Sequence, residues 1–232
     1  MIRTSLALAF VIFFIPVAAL ITFPWTLITG KANFLYRVAM TGVRSALCIA
    51  GVKVEAEGRE KLDPARSYIF MSNHVSNLDP PIVVPVLPGR TSVLVKKELF
   101  RVPILGWAMR MASLVPVDRD NRDAAIASIE KAAEVMRSGL HMTIFPEGTR
   151  SLDGGLLPFK KGPFHLALDT GMPIVPVTVL DTLEMMPKGR IRIHPGTARV
   201  IFHDPIEPTQ VKDRDQLVEA VRASIAAPLD KK

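Results

Sequence analysis

Residues 68–81 read YIFMSNHVSNLDPP. The first four are an unbroken apolar run, and a short run of that kind bounded by polar residues fits a fully buried strand. A polar loop, SNHVSN, begins where the run stops. Asp79, Pro80 and Pro81 then predict a helix start, because Asp is a preferred N-cap and Pro a preferred first helical residue. A strand that delivers a charged loop and then a helix is the unit of an open α/β sheet, where ligands bind outside the carboxyl ends of the strands.

The same alternation runs outward from this stretch. Strand-like segments are expected at residues 52–57, 67–72, 91–96, 113–118, 141–145, 173–179, 190–194 and 198–203. Helical segments are expected at 80–87, 103–112, 121–138, 162–171 and 213–227. Residues 121–139 give the clearest helix: Ala125, Ile129, Ala132, Ala133 and Met136 share one face, and Gly139 is the stop. The expected fold class is α/β, a mixed, largely parallel sheet flanked by helices, with an antiparallel part where strands crowd near the carboxyl end.

Residues 4–30 carry no charge. As a helix they would extend about 40 Å, enough to cross a hydrocarbon layer of about 30 Å with tilt. Pro16 and Pro24 each remove a backbone donor, so a bent helix entering one leaflet is an equal alternative. A cleaved secretory signal ending near Val17, Ala18 and Ala19 fits less well, since the apolar run continues beyond Ala19. Residues 33–50 predict a second, amphipathic helix with Arg37 and Arg44 on one face. The expected organisation is therefore a membrane-anchoring two-helix element at 1–50 followed by an α/β domain at 51–232. Lys31, Arg37, Arg44 and Lys53 follow the apolar segment, which puts that domain on the cytoplasmic face, at a cell inner membrane. A single cysteine, Cys48, excludes an internal disulfide. The net charge of +7 is dispersed rather than gathered into a basic run with aromatics, which argues against nucleic acid and for an anionic membrane or substrate.

His74 and Asp79 are five positions apart and on one helix would point about 140° apart, so they meet only if the residues between them form a loop. One reading leaves Asp79 as a helix cap and His74 as an ordinary loop residue. The other is a catalytic dyad in which Asp79 accepts a hydrogen bond from one ring nitrogen of His74 and the second nitrogen takes a proton from an alcohol. The sequence has no G-x-S-x-G, so a base at His74 would serve a nucleophile carried by the substrate.

A second charged loop, Pro146, Glu147, Gly148, Thr149, Arg150 and Ser151, follows the run HMTIF at 141–145. If the two strands are parallel, both loops lie at one edge of the sheet and His74, Asp79, Glu147 and Arg150 converge. Gly148 permits close approach of backbone amides to a ligand, and Arg150 supplies a planar fork suited to phosphate. The alternatives are a tight turn with a Glu147–Arg150 surface pair, or a metal held by His74, Asp79 and Glu147. The metal reading lacks a second histidine at ligand spacing.

Together the blocks NHVSNLD and FPEGTRS resemble the glycerolipid acyltransferase family, specifically the 1-acyl-sn-glycerol-3-phosphate acyltransferases with their H-x4-D motif. VPVDRDN at 115–121, IVPV at 174–177, KKELFRVPILGW at 96–107 and FKKG at 159–162 agree in order. The resemblance covers residues 50–205 and the amino-terminal element. It implies transfer of an acyl group from acyl-CoA or acyl-carrier protein to the sn-2 hydroxyl of lysophosphatidate. His74 would deprotonate that hydroxyl, and Asp79 would orient His74 and balance its charge. Arg150, in a loop shaped by Glu147, Gly148 and Thr149, would hold the acceptor phosphate, with Arg119 a second phosphate residue and Lys97 beside the acyl carbonyl. Neither metal nor redox cofactor is implied. Another lysolipid, such as a lyso-ornithine lipid or a lysophospholipid, is an alternative acceptor. A non-catalytic protein binding anionic lipid is the alternative of a different class.

Overall fold

The chain begins with two antiparallel helices, α1 (Ile2–Thr29) and α2 (Asn33–Ala50), and enters its sheet at β1 (Val52–Glu57). In the computed structural model, which describes residues 1–118 and 121–230, there follow β2 (Ile69–Ser72), α3 (Asp79–Val83), β3 (Thr91–Lys96), α4 (Leu105–Met111) and β4 (Val115–Val117). Next come α5 (Arg122–Arg137), β5 (His141–Ile144), α6 (Gly162–Thr170), β6 (Ile174–Leu180), α7 (Thr182–Met185), β7 (Gly196–Phe202) and α8 (Arg214–Ala226). The strands form one sheet in the order β1-β7-β6-β2-β5-β3-β4.

The five strands from β6 to β4 in that order are mutually parallel. β7 runs antiparallel to β6 and parallel to β1, so the reversed part of the sheet is one edge of it. Central β2 explains why residues 68–71 are apolar without alternation. Tyr68 and Phe70 pack on one face with α2, α3 and their neighbours (Leu47, Ile82, Val83). Ile69 and Met71 pack on the other with Ala132, Met136, Phe164, Leu217 and Val221 of α5, α6 and α8. Successive side chains of a strand point to opposite faces, and here both faces are covered.

Residues 190–194 do not form the expected strand. Alternation fails there because Ile191 is exposed, while the backbone donates to groups outside any ladder: Ile193 N–H to Thr4 Oγ1 at 3.1 Å and His194 N–H to the Met185 carbonyl at 2.8 Å. The segment fastens the start of α1 to the α/β domain. The short helix α7 was not expected from the pattern.

Helix α1 continues through Pro16 and Pro24 and ends at Gly30, whose φ of 67° is the left-handed conformation of a helix stop. It is long and apolar enough to cross a membrane by length and composition. Thr22, Thr26 and Thr29 turn their hydroxyls onto the carbonyls of Ala18, Thr22 and Trp25, so no hydroxyl is left seeking water. Much of its outer face is bare hydrocarbon, including Ile12, Phe13, Val17, Leu20 and Ile28. Gly42 of α2 lets the Phe14 ring lie directly on that helix, where any Cβ would stand 2.2 Å from the ring.

Candidate active site

Three adjacent parallel strands, β5, β2 and β6, end at the same edge of the sheet, and each hands a loop to one site. The loop after β2 carries His74, buried to 8% exposure, and Asp79, with none. His74 Nδ1 lies 2.8 Å from Asp79 Oδ2, and the same oxygen accepts the main-chain N–H groups of Val75 at 2.7 Å and Ser76 at 2.8 Å. Thr182, on the turn after β6, donates its hydroxyl to Asp79 Oδ1 at 2.6 Å. Asp181 makes that turn with a φ of 71°. Asp79 therefore does not cap its helix as expected. Leu78 holds the cap position, and the carboxylate reaches backwards to close the loop onto His74.

With Oδ2 acting as acceptor for two amides already, Nδ1 of a neutral His74 carries the proton, leaving Nε2 as the basic nitrogen. Nε2 has no partner among the described residues. The Phe145 ring stands 4.3 Å from the imidazole, centroid to centroid, which limits the ring's rotation and its contact with water. Asn73 anchors the loop from behind: its amide donates to the Val179 carbonyl at 2.9 Å and its oxygen accepts from Val179 N–H at 2.7 Å. The side chain thereby continues the β2–β6 ladder past the end of β2.

Glu147 is expected to shape the loop that carries Arg150, and the structure places it beneath that loop, out of solvent. It is 2% exposed, and its two oxygens accept from opposite sides, His74 N–H at 2.7 Å and Leu157 N–H at 2.9 Å. It ties the loop after β5 to the backbone of the histidine; Ser151 N–H completes the tie by donating to the His74 carbonyl at 2.8 Å. Burial pushes the Glu147 carboxyl above its ordinary range, opposed by the two amides it accepts from. A carboxyl raised in this way binds protons more readily folded than unfolded, so its contribution to stability is present at low pH and lost as pH rises through its folded pKa. Truncation to alanine strands the buried His74 amide and the half-buried Leu157 amide, at about 1–3 kcal/mol for a buried donor and less where water can reach. Glu147→Ala is expected to lose at least about 2 kcal/mol in urea unfolding, together with the activity that depends on the placement of His74.

Gly148 has a φ of 72°, and its N–H closes a turn onto the Phe145 carbonyl at 3.0 Å. Thr149 stands exposed at the tip. Arg150 donates to the Asn77 side-chain oxygen, on the loop that also holds His74 and Asp79. Lys188, not singled out by the sequence, reaches the same loop through the Arg150 carbonyl at 3.2 Å and Thr149 Oγ1 at 3.4 Å. Neither Arg150 nor Lys188 has an ion-pair partner among the described residues, so two cations border the loop. Lys97 lies after β3, where its ammonium donates to the Asp118 carboxylate; no contact joins it to the His74 loop among the described residues. Arg119 lies outside the described residues. No group of His, Cys, Asp and Glu with metal-holding geometry occurs among the described residues.

An apolar cavity of about 340 Å³ opens beside this loop. Its walls are α1 and α2, closed by Leu78 and Pro81, which flank the Asp79 end of the loop, and by Ile104, Leu105 and Ala108. Thr22 brings the one hydroxyl to that lining. The loop that carries His74 thus contributes Leu78, and α3 contributes Pro81, to the wall of an apolar cavity.

Known proteins resemble this chain in sequence and in fold. The family model described as Acyltransferase matches residues 53–180. The chloroplastic 1-acyl-sn-glycerol-3-phosphate acyltransferase BAT2 of Brassica napus is 36% identical over 181 residues, 77% of this chain and 51% of that protein. The 1-acyl-sn-glycerol-3-phosphate acyltransferase of Cocos nucifera is 37% identical over 81% of this chain and 60% of its own length. The human enzyme of that name, form alpha, is 34% identical over 75% and 63%. The chain therefore spans between half and under two thirds of these relatives. The crystal structure of the 1-acyl-sn-glycerophosphate acyltransferase PlsC from Thermotoga maritima superposes with a TM-score of 0.78 at 25% identity, covering 99% of this chain and 97% of that one.

Proposed function

The chain belongs to the acyltransferase family, and on that premise we propose that it acylates the sn-2 hydroxyl of 1-acylglycerol-3-phosphate, using an acyl-CoA or acyl-carrier-protein thioester and giving phosphatidic acid. The observation that carries this reading is the dyad: an imidazole fixed by a buried carboxylate, on a loop whose Leu78, with Pro81 of α3, lines an apolar cavity and whose Asn77 accepts from the cation Arg150.

His74 Nε2 takes the proton of the acceptor hydroxyl as the oxygen attacks the thioester carbonyl. Asp79 holds the imidazole in the tautomer that leaves Nε2 basic and balances the imidazolium that forms. Collapse of the tetrahedral intermediate expels the thiolate, which the proton on His74 neutralises. A thioester is already activated, so positioning and one base supply most of what the reaction needs. The apolar cavity is the place for acyl chain, and Arg150 and Lys188 are the cations for the acceptor's phosphate.

The bare face of α1 belongs in lipid. Both ends of the helix pair return to the α/β domain: Thr4 bonds to Ile193, the Arg3 guanidinium lies against Gly51, and α2 leads into β1. A spanning α1 would require α2 to bring Arg37 and Arg44 back across the hydrocarbon, so the pair enters one leaflet from the side of the domain. That side is the cytoplasmic face of the inner membrane, whose anionic leaflet suits the basic residues Arg3, Lys31 and Lys53 that flank the pair.

Arg150→Ala is expected to lower kcat/KM for lysophosphatidate about 10-fold or more, since a hydrogen bond to a charged group contributes about 1.5–3 kcal/mol. Monoacylglycerol, which lacks the phosphate, should be affected little. Equal losses on both acceptors would remove Arg150 from phosphate recognition. The reading as a whole is tested by the mass of the lipid product: phosphatidate formed from a thioester and lysophosphatidate supports it, and a product from another lysolipid alone corrects the acceptor.

A further inference from the structure

Away from the α1–α2 pair, large apolar side chains concentrate at one place on the surface. Leu99, Val102 and Trp107 are all exposed, Trp107 to 62%. Backbone hydrogen bonds tie the stretch that carries this ridge: Val102 N–H donates to the Leu99 carbonyl at 3.2 Å, and Gly106 N–H, next to Trp107, to the Val102 carbonyl at 2.8 Å. Between them the chain reverses at Ile104, with φ 62° and ψ −55°, where Leu105 N–H closes a γ-turn onto the Pro103 carbonyl at 2.6 Å. A β-branched residue at positive φ is strained, and such strain persists where the surroundings impose it. Here the reversal sorts the side chains. Ile104, Leu105 and Ala108 line the apolar cavity, Gly106 and Met109 are buried, and Val102, Trp107 and Arg110 are left outside.

We propose that Leu99, Val102 and Trp107 form a second membrane-insertion point, which seats the α/β domain on an anionic bilayer beside α1. The proposal rests on the reading of α1 as a membrane helix. Indole combines a large apolar body with one polar N–H and is favoured at the membrane interface. Arg101, between Leu99 and Val102, and Arg110, after Trp107, are exposed and have no ion-pair partner among the described residues, as suits anionic headgroups; Arg110 also donates to the Phe100 carbonyl at 3.2 Å. α4 also packs against α1, so the ridge continues an apolar surface already assigned to lipid. The same short segment thus faces lipid on its outside and walls the acyl cavity on its inside.

The chain has two tryptophans, Trp25 on α1 and Trp107 on the ridge, and each can be made the sole emitter. Trp25→Phe leaves Trp107, and Trp107→Phe leaves Trp25. Each full-length variant is reconstituted into vesicles containing phosphatidylglycerol and lipids brominated near the headgroup end or near the tail end of the chain. The expected result for Trp107 is a blue-shifted emission and strong quenching by the headgroup-end bromines. Adding Val102→Asp should weaken that quenching while leaving the quenching of Trp25 unchanged. Quenching of Trp25 with Trp107 unquenched would overturn the proposal and leave the anchor reading intact; failure of both would overturn the anchor reading as well. Trp107 shielded from aqueous acrylamide yet unquenched by lipid would mean that a second copy of the chain covers the ridge, which also overturns the proposal.

Discussion

Replacing His74 by alanine is expected to lower kcat by about 10² to 10⁴-fold, the usual contribution of a general base, while the fold survives. The reason is in the wiring of the loop. The backbone of residue 74, not its side chain, carries the ties to Glu147 and Ser151, so the alanine variant keeps them. The Asp79 carboxylate also stays satisfied, since Val75, Ser76 and Thr182 still donate to it. Unchanged urea unfolding beside a collapsed kcat is the expected pairing. An alanine variant that turns over like the wild type would take the base role away from His74.

Asp79→Asn and Asp79→Ala should separate orientation from architecture. Asparagine can keep its oxygen where Oδ2 stands, accepting from Val75, Ser76 and His74, and turn its NH₂ toward Thr182, whose hydroxyl oxygen can accept. The loop should therefore fold, but the negative charge that balances the imidazolium is gone. In a serine-protease triad, the corresponding carboxylate-to-amide change costs about 10⁴-fold in kcat, which bounds the loss expected here. Alanine removes every acceptor and leaves buried amides and a hydroxyl unpaired at about 1–3 kcal/mol each. Asp79→Asn is thus expected to be nearly as stable as the wild type and almost inactive, and Asp79→Ala both inactive and substantially destabilised. Kinetics and urea melts on the pair decide it: equal stability of the two variants would show that the carboxylate does not hold the loop.

Much of the architecture was legible because it is written in hydrophobic patterning and turn residues. Residues 69–71 and 142–144 read as buried strands since both of their faces are covered, and parallel pairing of those two strands is what brings NHVSNLD and FPEGTRS to one edge. The segment 190–194 misled because alternating Arg and Ile mimics strand period, whereas its amides are used to hold α1 and α7. The site was legible in its residues and less so in their jobs. A local rule about N-caps assigned Asp79 to its own helix; the carboxylate instead serves four donors, one of them Thr182, 103 residues away. Glu147 looks like a polar loop residue in sequence, and only burial reveals it as a tie. Thr182, Lys188 and the pairing of Asn73 with Val179 carry no local signal, since their partners are set by the order of strands in the sheet.

A base at the end of β2 that transfers acyl groups to a lysolipid must release thiol only when the acceptor is present. The most direct measurement is thiol release from palmitoyl-CoA, and from palmitoyl-acyl-carrier protein, by the full chain in detergent, with and without lysophosphatidate, with the lipid product identified by mass. The expected result is release that requires the acceptor and yields phosphatidate in equal amount. Release that ignores the acceptor, or none from either thioester, would contradict it.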